Sequence, residues 1–357
     1  MAAPPTPTPR LRDLLHVHSF FSFGRGTSSP RRLVERAAAL GYESLALTDH
    51  GGVYGAVELH QAAREHGLRA IVGATVALRD GDDVHPLPLL AGSRRGYATL
   101  NELLTLAHER GGEVTLPILE AHATDLHALS GGRAGFPTRL LVRRRFADLD
   151  RLLERLTALF PDRFWLQLYH GAHPADLRRG RYLRRLAHRA RLPAVAAPEV
   201  RYADAASYPL YDALTCARLG ITVDDPHPDR PRNDADALPP PDLRDRVPEG
   251  EVPALLLPDV LANTRTLAEA CTWPLLPDRL EPPDAYVPDG LTPDMYLERR
   301  TYGALVERYA GDRLPAARER LDHELATVRA LGFAEFFLAA AEITDHCHDR
   351  GIVASGR

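Results

Sequence analysis

Lysine is missing from this 357-residue chain, so arginine supplies all 44 of the Lys and Arg positions. Alanine and proline are abundant beside it, which indicates a coding bias rather than a functional choice. The 48 acidic residues leave a formal net charge of only −4. A chain this close to neutral has no overall basic surface for nucleic acid, so any contact with nucleic acid has to be local.

Cysteine is almost as scarce, with Cys216, Cys271 and Cys347 far apart in the chain and no CxxC spacing. This excludes a disulfide framework and a zinc ribbon, and it suits a reducing cytoplasm. There is also no apolar run long enough to span a bilayer. The Pro-rich amino terminus lacks the apolar core of a signal peptide. We therefore expect a cytoplasmic protein with no membrane partner.

Chemically distinctive residues follow the first two predicted strands in the segment from Leu14 to Leu78. His16 and His18 are two apart in an apolar run, so their side chains point to one side of a strand. Asp49 and His50 follow the next apolar run, and parallel strands present such residues at one mouth. Nitrogen and oxygen donors of this kind suit Zn²⁺, Mn²⁺ or Fe²⁺. Taken alone, His16 and His18 could instead be buried histidines that bond to backbone carbonyls. The presence of Asp49 and His50 at the next strand end favours a metal site.

Strand and helix patterns alternate through residue 200, which predicts either a barrel or a doubly wound sheet. Residues 223–258 are dense in Pro and Asp, which favours loops, and a connecting helix and a second Pro-rich spacer follow. The remaining chain has helical apolar stripes. We therefore predict a flexible terminus at 1–13, a barrel at 14–222, loops and a connecting helix at 223–292, and a mainly helical segment at 293–357.

The motifs LHVHSFFSF, ALTDHGGVYGAVELHQAA and GLRAIVG resemble, in order, the polymerase-and-histidinol-phosphatase (PHP) domain of the bacterial DNA polymerase III alpha subunit and its error-prone relatives. The resemblance implies an α/β fold, a distorted (β/α)7 barrel, and decides for the barrel over the doubly wound sheet. In the PHP superfamily this barrel carries a multinuclear metal site that hydrolyses phosphoesters. The resemblance thus places the histidines and Asp49 at that site.

The carboxyl-terminal stretch ERLDHELATVRALGFAEFFL resembles the opening of the alpha subunit's palm. In the family a helix and a strand lead from it into a Gly-rich turn that cradles the incoming nucleotide's triphosphate, and Ser355, Gly356 and Arg357 match its start. The palm carboxylates, which hold Mg²⁺, lie further downstream in the family. We therefore expect no DNA polymerisation by this chain alone.

Several family metal-site positions carry other residues here. Arg25 stands where the family usually has Asp, Thr75 where it has Glu, and Gly132 where it has Cys. Pro86 replaces a His, although His85 is adjacent. Near the last barrel strand the family's Asp-x-His pair appears as Glu199 and Arg201, which keeps one carboxylate and loses the imidazole. Fewer carboxylates offset less repulsion between neighbouring cations.

The surviving candidate ligands are His16, His18, Asp49, His50 and Glu199, with His85 as a further candidate. This set could hold one Zn²⁺ or Mn²⁺ ion, or none. We expect an inert remnant, and a single structural metal and a working multinuclear site remain the alternatives. In the last case His16, His18, Asp49 and His50 would be catalytic.

The expected function is structural support for a replicative or translesion polymerase, a DNA-directed nucleotidyltransferase. Its partners would be the remainder of the alpha subunit, DNA, and other replisome or mutasome subunits. One alternative is a stand-alone metal-dependent phosphoesterase, either a phosphatase or a 3′–5′ exonuclease. Another is a regulatory module that docks through the helices after Thr292. A basic stripe from Arg181 to Arg189 could contact a phosphate backbone, but we favour a solvated helix face.

Overall fold

The structure, a computed structural model, describes residues 9–173, 175–243, 253–277 and 282–354. Its internal contacts divide the chain into two units, Met1–Leu276 and Pro277–Arg357. The domain boundaries predicted from the sequence after residues 13, 222 and 292 stay predictions. Among the described residues, no helix is both long enough and apolar enough to cross a membrane.

The first unit alternates strands and helices along most of its length. Its strands are β1 (Asp13–Val17), β2 (Ser44–Leu47), β3 (Arg69–Asp80), β4 (Asp83–Ala91), β5 (Glu113–Thr115), β6 (Leu126–Leu129), β7 (Phe164–Leu168) and β8 (Ala194–Ala196). Its helices are α1 (Pro30–Leu40), α2 (Ala56–His66), α3 (Arg94–Glu109), α4 (Leu116–Ala121), α5 (Phe136–Val142), α6 (Phe146–Leu159), α7 (Asp176–Ala190), α8 (Tyr208–Leu219) and α9 (Pro258–Ala270).

The strands form a nearly closed mixed sheet in the order β1-β2-β3-β4-β6-β7-β8, with β5 paired to β3 outside this path. The prediction of a barrel is confirmed. The direction of the strands differs from simple β/α alternation, because β4 runs antiparallel to both β3 and β6. A two-residue turn links β3 to β4, and Gly81 adopts φ +61° there, a conformation that glycine accepts without steric cost.

The ring closes where β1 meets the segment that follows β8. Val17 and Val200 form a parallel bridge. The Val200 carbonyl accepts the His18 N–H at 2.8 Å, and the Val200 N–H donates to the His16 carbonyl at 3.0 Å. This pairing brings residues near the two ends of the barrel segment side by side.

Apolar side chains from the strands form a buried cluster that also includes Leu267, Ala268 and Cys271 from α9 and its end. A larger cluster joins the strands to the surrounding helices. The ends of α1 have the residue types that favour helix ends, because the Ser29 side chain caps its first turn, Pro30 begins it, and Gly41 ends it with φ +83°. The spacing of apolar residues along each helix thus determines which face of that helix is buried.

The second unit is mainly helical, as predicted, with α10 (Pro293–Arg308), α11 (Arg313–Leu331) and α12 (Ala334–Asp349). Its small core contains Leu297, Ala334 and Leu338. No residue of α11 is fully buried. The strand that the family resemblance places before the Gly-rich turn is not formed in residues 350–354.

Candidate functional site: a histidine, glutamate and arginine cluster at the barrel closure

Barrel closure brings His16, His18 and Glu199 together. Between Leu14 and Val17 the pairing of β1 with β2 gains one residue on β1, the mark of a β-bulge, which reorients side chains. One potential ligand atom from each of the three residues lies within 4.8 Å of the others. Both histidines are buried, and the Glu199 side chain is 14% exposed.

The hydrogen bonds around His16 fix its tautomer. The Gln167 side-chain N–H₂ donates to the Ala197 carbonyl at 2.6 Å and to His16 Nδ1 at 2.8 Å. Neutral His16 therefore carries its proton on Nε2, an assignment from the hydrogen-bond network. That Nε2–H points at His18 Nε2, 3.0 Å away. The nitrogen that His16 would offer to a metal is thus already protonated.

The Arg201 guanidinium forms an ion pair and hydrogen bond with Glu199. Its side chain is only 12% exposed, and it also donates to the Arg25 carbonyl at 2.8 Å. Burial by itself would lower the pKa of Arg201, but the charge of Glu199 raises that pKa above its usual value. A permanent positive charge therefore sits at the closure of the barrel.

The same charge affects the histidines. Burial lowers the pKa of His16 to about 4, with Glu199 opposing this shift and Arg201 adding to it. Burial also lowers the pKa of His18 and His50 well below the usual value, and Arg201 contributes to both shifts. The three imidazoles are therefore neutral at physiological pH.

Asp49 lies beside the cluster but is occupied by hydrogen bonds. Its carboxylate accepts from the Ser19 N–H at 2.6 Å, the Ser19 hydroxyl at 2.7 Å and the Ser22 hydroxyl at 2.5 Å. Burial raises its pKa, and these hydrogen bonds oppose that rise. His50 stacks on His18 at a ring distance of 4.6 Å. Both residues stay candidate ligands, placed around rather than within the three-residue group.

The remaining predicted positions have different surroundings. His85 packs at 6.3 Å from the Phe136 ring, and it is not in the three-residue group found among the described residues. The Thr75 hydroxyl donates to the Thr48 carbonyl at 2.9 Å. A Cβ added at Gly132 would lie 3.0 Å from Glu199 Oε2, so a side chain there would point into the cluster. The predicted nucleotide-binding residues Ser355, Gly356 and Arg357 lie outside the described residues.

Sequence reasoning missed Gln167, Ser19 and Ser22, which orient the predicted ligands. Gln167 is fully buried in the apolar run FWLQLY, and a polar residue inside such a strand is the signal that could have identified it. Ser19 and Ser22 follow the histidines directly. Their role depends on the 3-10 turn Phe20–Ser22, which folds them back onto Asp49.

The described residues include one group of three potential ligands, His16, His18 and Glu199, which is enough for a single metal ion. The charge and the hydrogen bonds of this group do not fit a metal. The single carboxylate is paired with Arg201, and His16 Nε2 is protonated. Two neutral imidazoles, one carboxylate and one guanidinium sum to zero charge, so this group offers no net negative charge to a divalent cation. Two or three ions fit less well still, because they need bridging carboxylates.

Comparisons with known proteins agree with this architecture. Residues 15–170 match the PHP domain, and residues 295–357 match the bacterial DNA polymerase III alpha NTPase domain. The error-prone DNA polymerase of Symbiobacterium thermophilum is 36% identical, over 96% of this chain and 32% of that protein. DNA polymerase III subunit alpha of Escherichia coli is 32% identical, over 96% of this chain and 30% of that protein. The chain thus spans about a third of the length of these relatives.

One similar solved structure is an amidohydrolase from Chromobacterium violaceum, with 16% sequence identity and a TM-score of 0.37. The match covers 54% of this chain and 88% of the amidohydrolase chain.

Proposed function

The chain combines a PHP domain with part of the bacterial DNA polymerase III alpha NTPase domain, and from this we propose that its barrel is a structural, non-hydrolytic part of a polymerase III alpha-type enzyme. The proposal covers both replicative and error-prone parents. DNA-directed polymerisation, with its Mg²⁺, would depend on palm residues outside this chain. A cytoplasmic location and DNA and other replication subunits as partners belong to the same proposal.

One observation carries the non-hydrolytic part of the proposal: the buried ion pair between Arg201 and Glu199. A metal-dependent phosphoesterase needs a net negative ligand set that draws cations together. Here a covalently attached cation already neutralises the cluster's carboxylate. In this proposal the cluster stabilises the closure between β1 and the segment after β8, where the backbone of Val200 bonds both histidines.

The surface of the second unit supports attachment to a larger protein. Phe336 and Ile343 are 55% and 66% exposed, and they lie seven residues apart in α12, so both are on one face of that helix. Large apolar side chains exposed together are characteristic of surfaces that another polypeptide covers. In the proposal, the remainder of the alpha subunit is that polypeptide.

The test measures metal content and hydrolysis on the purified 357-residue chain. We expect less than a tenth of an equivalent of Zn, Mn or Fe by elemental analysis. We also expect no chelator-sensitive hydrolysis of nitrophenyl phosphate or of a DNA 3′ end. Asp49→Ala should destabilise the fold without changing metal content, because Asp49 accepts three hydrogen bonds from Ser19 and Ser22.

The second candidate is the metal-dependent phosphoesterase, and the proximity of His16, His18 and Glu199 favours it. Stoichiometric bound metal, together with turnover abolished by His16→Ala, would establish this candidate and reject the structural one. Turnover that survives His16→Ala would point to a contaminating phosphatase.

A further inference from the structure

A cavity of about 280 Å³ in the first unit is lined mainly by arginine. It lies where the loop after β6, helix α5, the start of α7 and the segment 228–232 meet. Its basic residues are Arg133, Arg139, Arg143, Arg179, Arg230 and Arg232, together with His173. No lining residue is acidic, and none belongs to the His16, His18 and Glu199 cluster. The cavity is a separate feature of the barrel.

Half of these arginines have a carboxylate partner and half do not. The ion pairs are Arg143 with Asp83 at 2.7 Å, Arg179 with Asp176 at 3.0 Å, and Arg230 with Asp212 at 2.6 Å. Arg133, Arg139 and Arg232 have no ion pair with any described residue. Arg139 donates to the Val84 carbonyl at 2.9 Å, which leaves its charge uncompensated. The cavity therefore carries an excess of positive charge.

His173 and Arg232 both present N–H groups to the cavity. His173 Nδ1 accepts the Ala175 N–H at 3.1 Å, so the neutral ring carries its proton on Nε2. That Nε2 faces Arg232 Nη1 at 3.4 Å, so two N–H donors face each other. An anionic oxygen placed between them would accept from both.

Arg133 packs against Gly171. Its Nη2 lies so close to the Cα of Gly171 that a Cβ at residue 171 would overlap it. The charges of Asp236, Asp176 and Glu199 raise the pKa of Arg133 against the effect of burial. Asp176 and Glu199 form ion pairs with Arg179 and Arg201 instead, so their charges act on Arg133 without a direct ion pair.

We propose that this cavity binds the terminal phosphate of a phosphomonoester. Three guanidiniums without an ion pair to any described residue suit a dianion with several peripheral oxygens better than a singly charged carboxylate or a backbone phosphodiester, because each fork can donate to two oxygens. A free nucleotide and the phosphorylated end of a DNA strand both supply such a group.

The experiment is calorimetric titration of the full chain, at fixed ionic strength, with four probes. These are inorganic phosphate, deoxyadenosine monophosphate, a 5′-phosphorylated single-stranded DNA, and the same DNA without the phosphate. We expect inorganic phosphate to bind, and the phosphorylated strand to bind at least tenfold tighter than its unphosphorylated form. If the monophosphate equals the phosphorylated strand, the source is a free nucleotide; if the strand binds tighter, the source is a strand end.

Arg232→Met and Arg133→Met should each weaken the binding of every phosphorylated probe about tenfold. Arg110→Met removes the same charge at an exposed residue outside the cavity and should change nothing. Circular dichroism checks that each variant folds. If Arg133→Met misfolds, the binding measured with Arg232→Met tests the proposal. No phosphate binding by the unaltered chain, or equal weakening by Arg232→Met and Arg110→Met, would overturn the proposal.

Discussion

Gln167 holds His16 in the tautomer that is wrong for metal binding. The Gln167 amide donates to His16 Nδ1 at 2.8 Å and is itself fixed by the Ala197 carbonyl at 2.6 Å. Histidine ligands in metal sites usually donate from the second ring nitrogen to an acceptor, which leaves the first nitrogen free for the ion. Here the second-nitrogen partner is a donor instead. Two neighbouring contacts, Gln167 with His16 and Arg201 with Glu199, therefore oppose a cation.

Replacing Arg201 by histidine should increase metal affinity. Arg201→His removes the buried positive charge, frees Glu199, and adds an imidazole donor. We expect Zn²⁺ to bind the variant with one-to-one stoichiometry and at least tenfold tighter than the unaltered chain, by competition with a chelating dye. Arg143→His, at a side chain that is 48% exposed, is the control. Equal Zn²⁺ affinity in Arg201→His and the unaltered chain would contradict the role given to Arg201.

Replacing one partner of the Glu199–Arg201 ion pair should lower the free energy of unfolding more than replacing both partners. Glu199→Gln leaves the Arg201 guanidinium buried without its carboxylate, and such a loss costs about 3–5 kcal/mol. Glu199→Gln combined with Arg201→Met leaves no buried charge and should recover a large part of that loss. Urea unfolding of the singles and the double gives the coupling free energy. Additive single effects would show that the two charges do not depend on each other.

Asp176 should stabilise the protein above about pH 4 and lose that effect in acid. Burial would raise its pKa, but His170 at 3.9 Å, the Gly171 N–H and Arg179 lower it to about 2. A folded pKa below the usual 3.8 means stability that disappears as the pH falls through that interval. Asp176→Asn should cost about 2 kcal/mol at pH 7 and little at pH 2. Asp82→Asn, in the exposed turn between β3 and β4, is the control variant.

His127 should make the barrel sensitive to mild acid. Burial and then the charge of Arg163 lower its pKa from 6.5 to about 4, and Nδ1 accepts the Trp165 N–H at 3.2 Å. Because the unfolded chain binds the proton more readily, stability present above pH 6.5 is lost toward pH 4. His127→Gln keeps an acceptor for Trp165. Between pH 7.5 and pH 5 the variant should lose about 1–2 kcal/mol less free energy of unfolding than the unaltered chain. An unchanged pH slope in thermal unfolding would contradict this.

Local features of the fold were predictable because they depend on nearby residues. Ser29, Pro30 and Gly41 are residue types that begin and end helices, and they bound α1, while the apolar run before Asp49 forms β2. The antiparallel β4 was not predictable from its apolar run, because the direction of a strand depends on which neighbour it pairs with.

The resemblance of the motifs to the PHP domain decided for a barrel over a doubly wound sheet. The sequence by itself determined that strands and helices alternate up to residue 200, that a mainly helical segment follows, and that histidines stand at the first strand ends. These follow from periodicity, turn residues and residue identity, which are local properties. Only the tertiary structure decided that Arg201 pairs with Glu199, that Gln167 orients His16, and that arginines of distant segments share a cavity. These contacts join residues up to 151 positions apart, and their chemistry depends on distances that sequence spacing does not set.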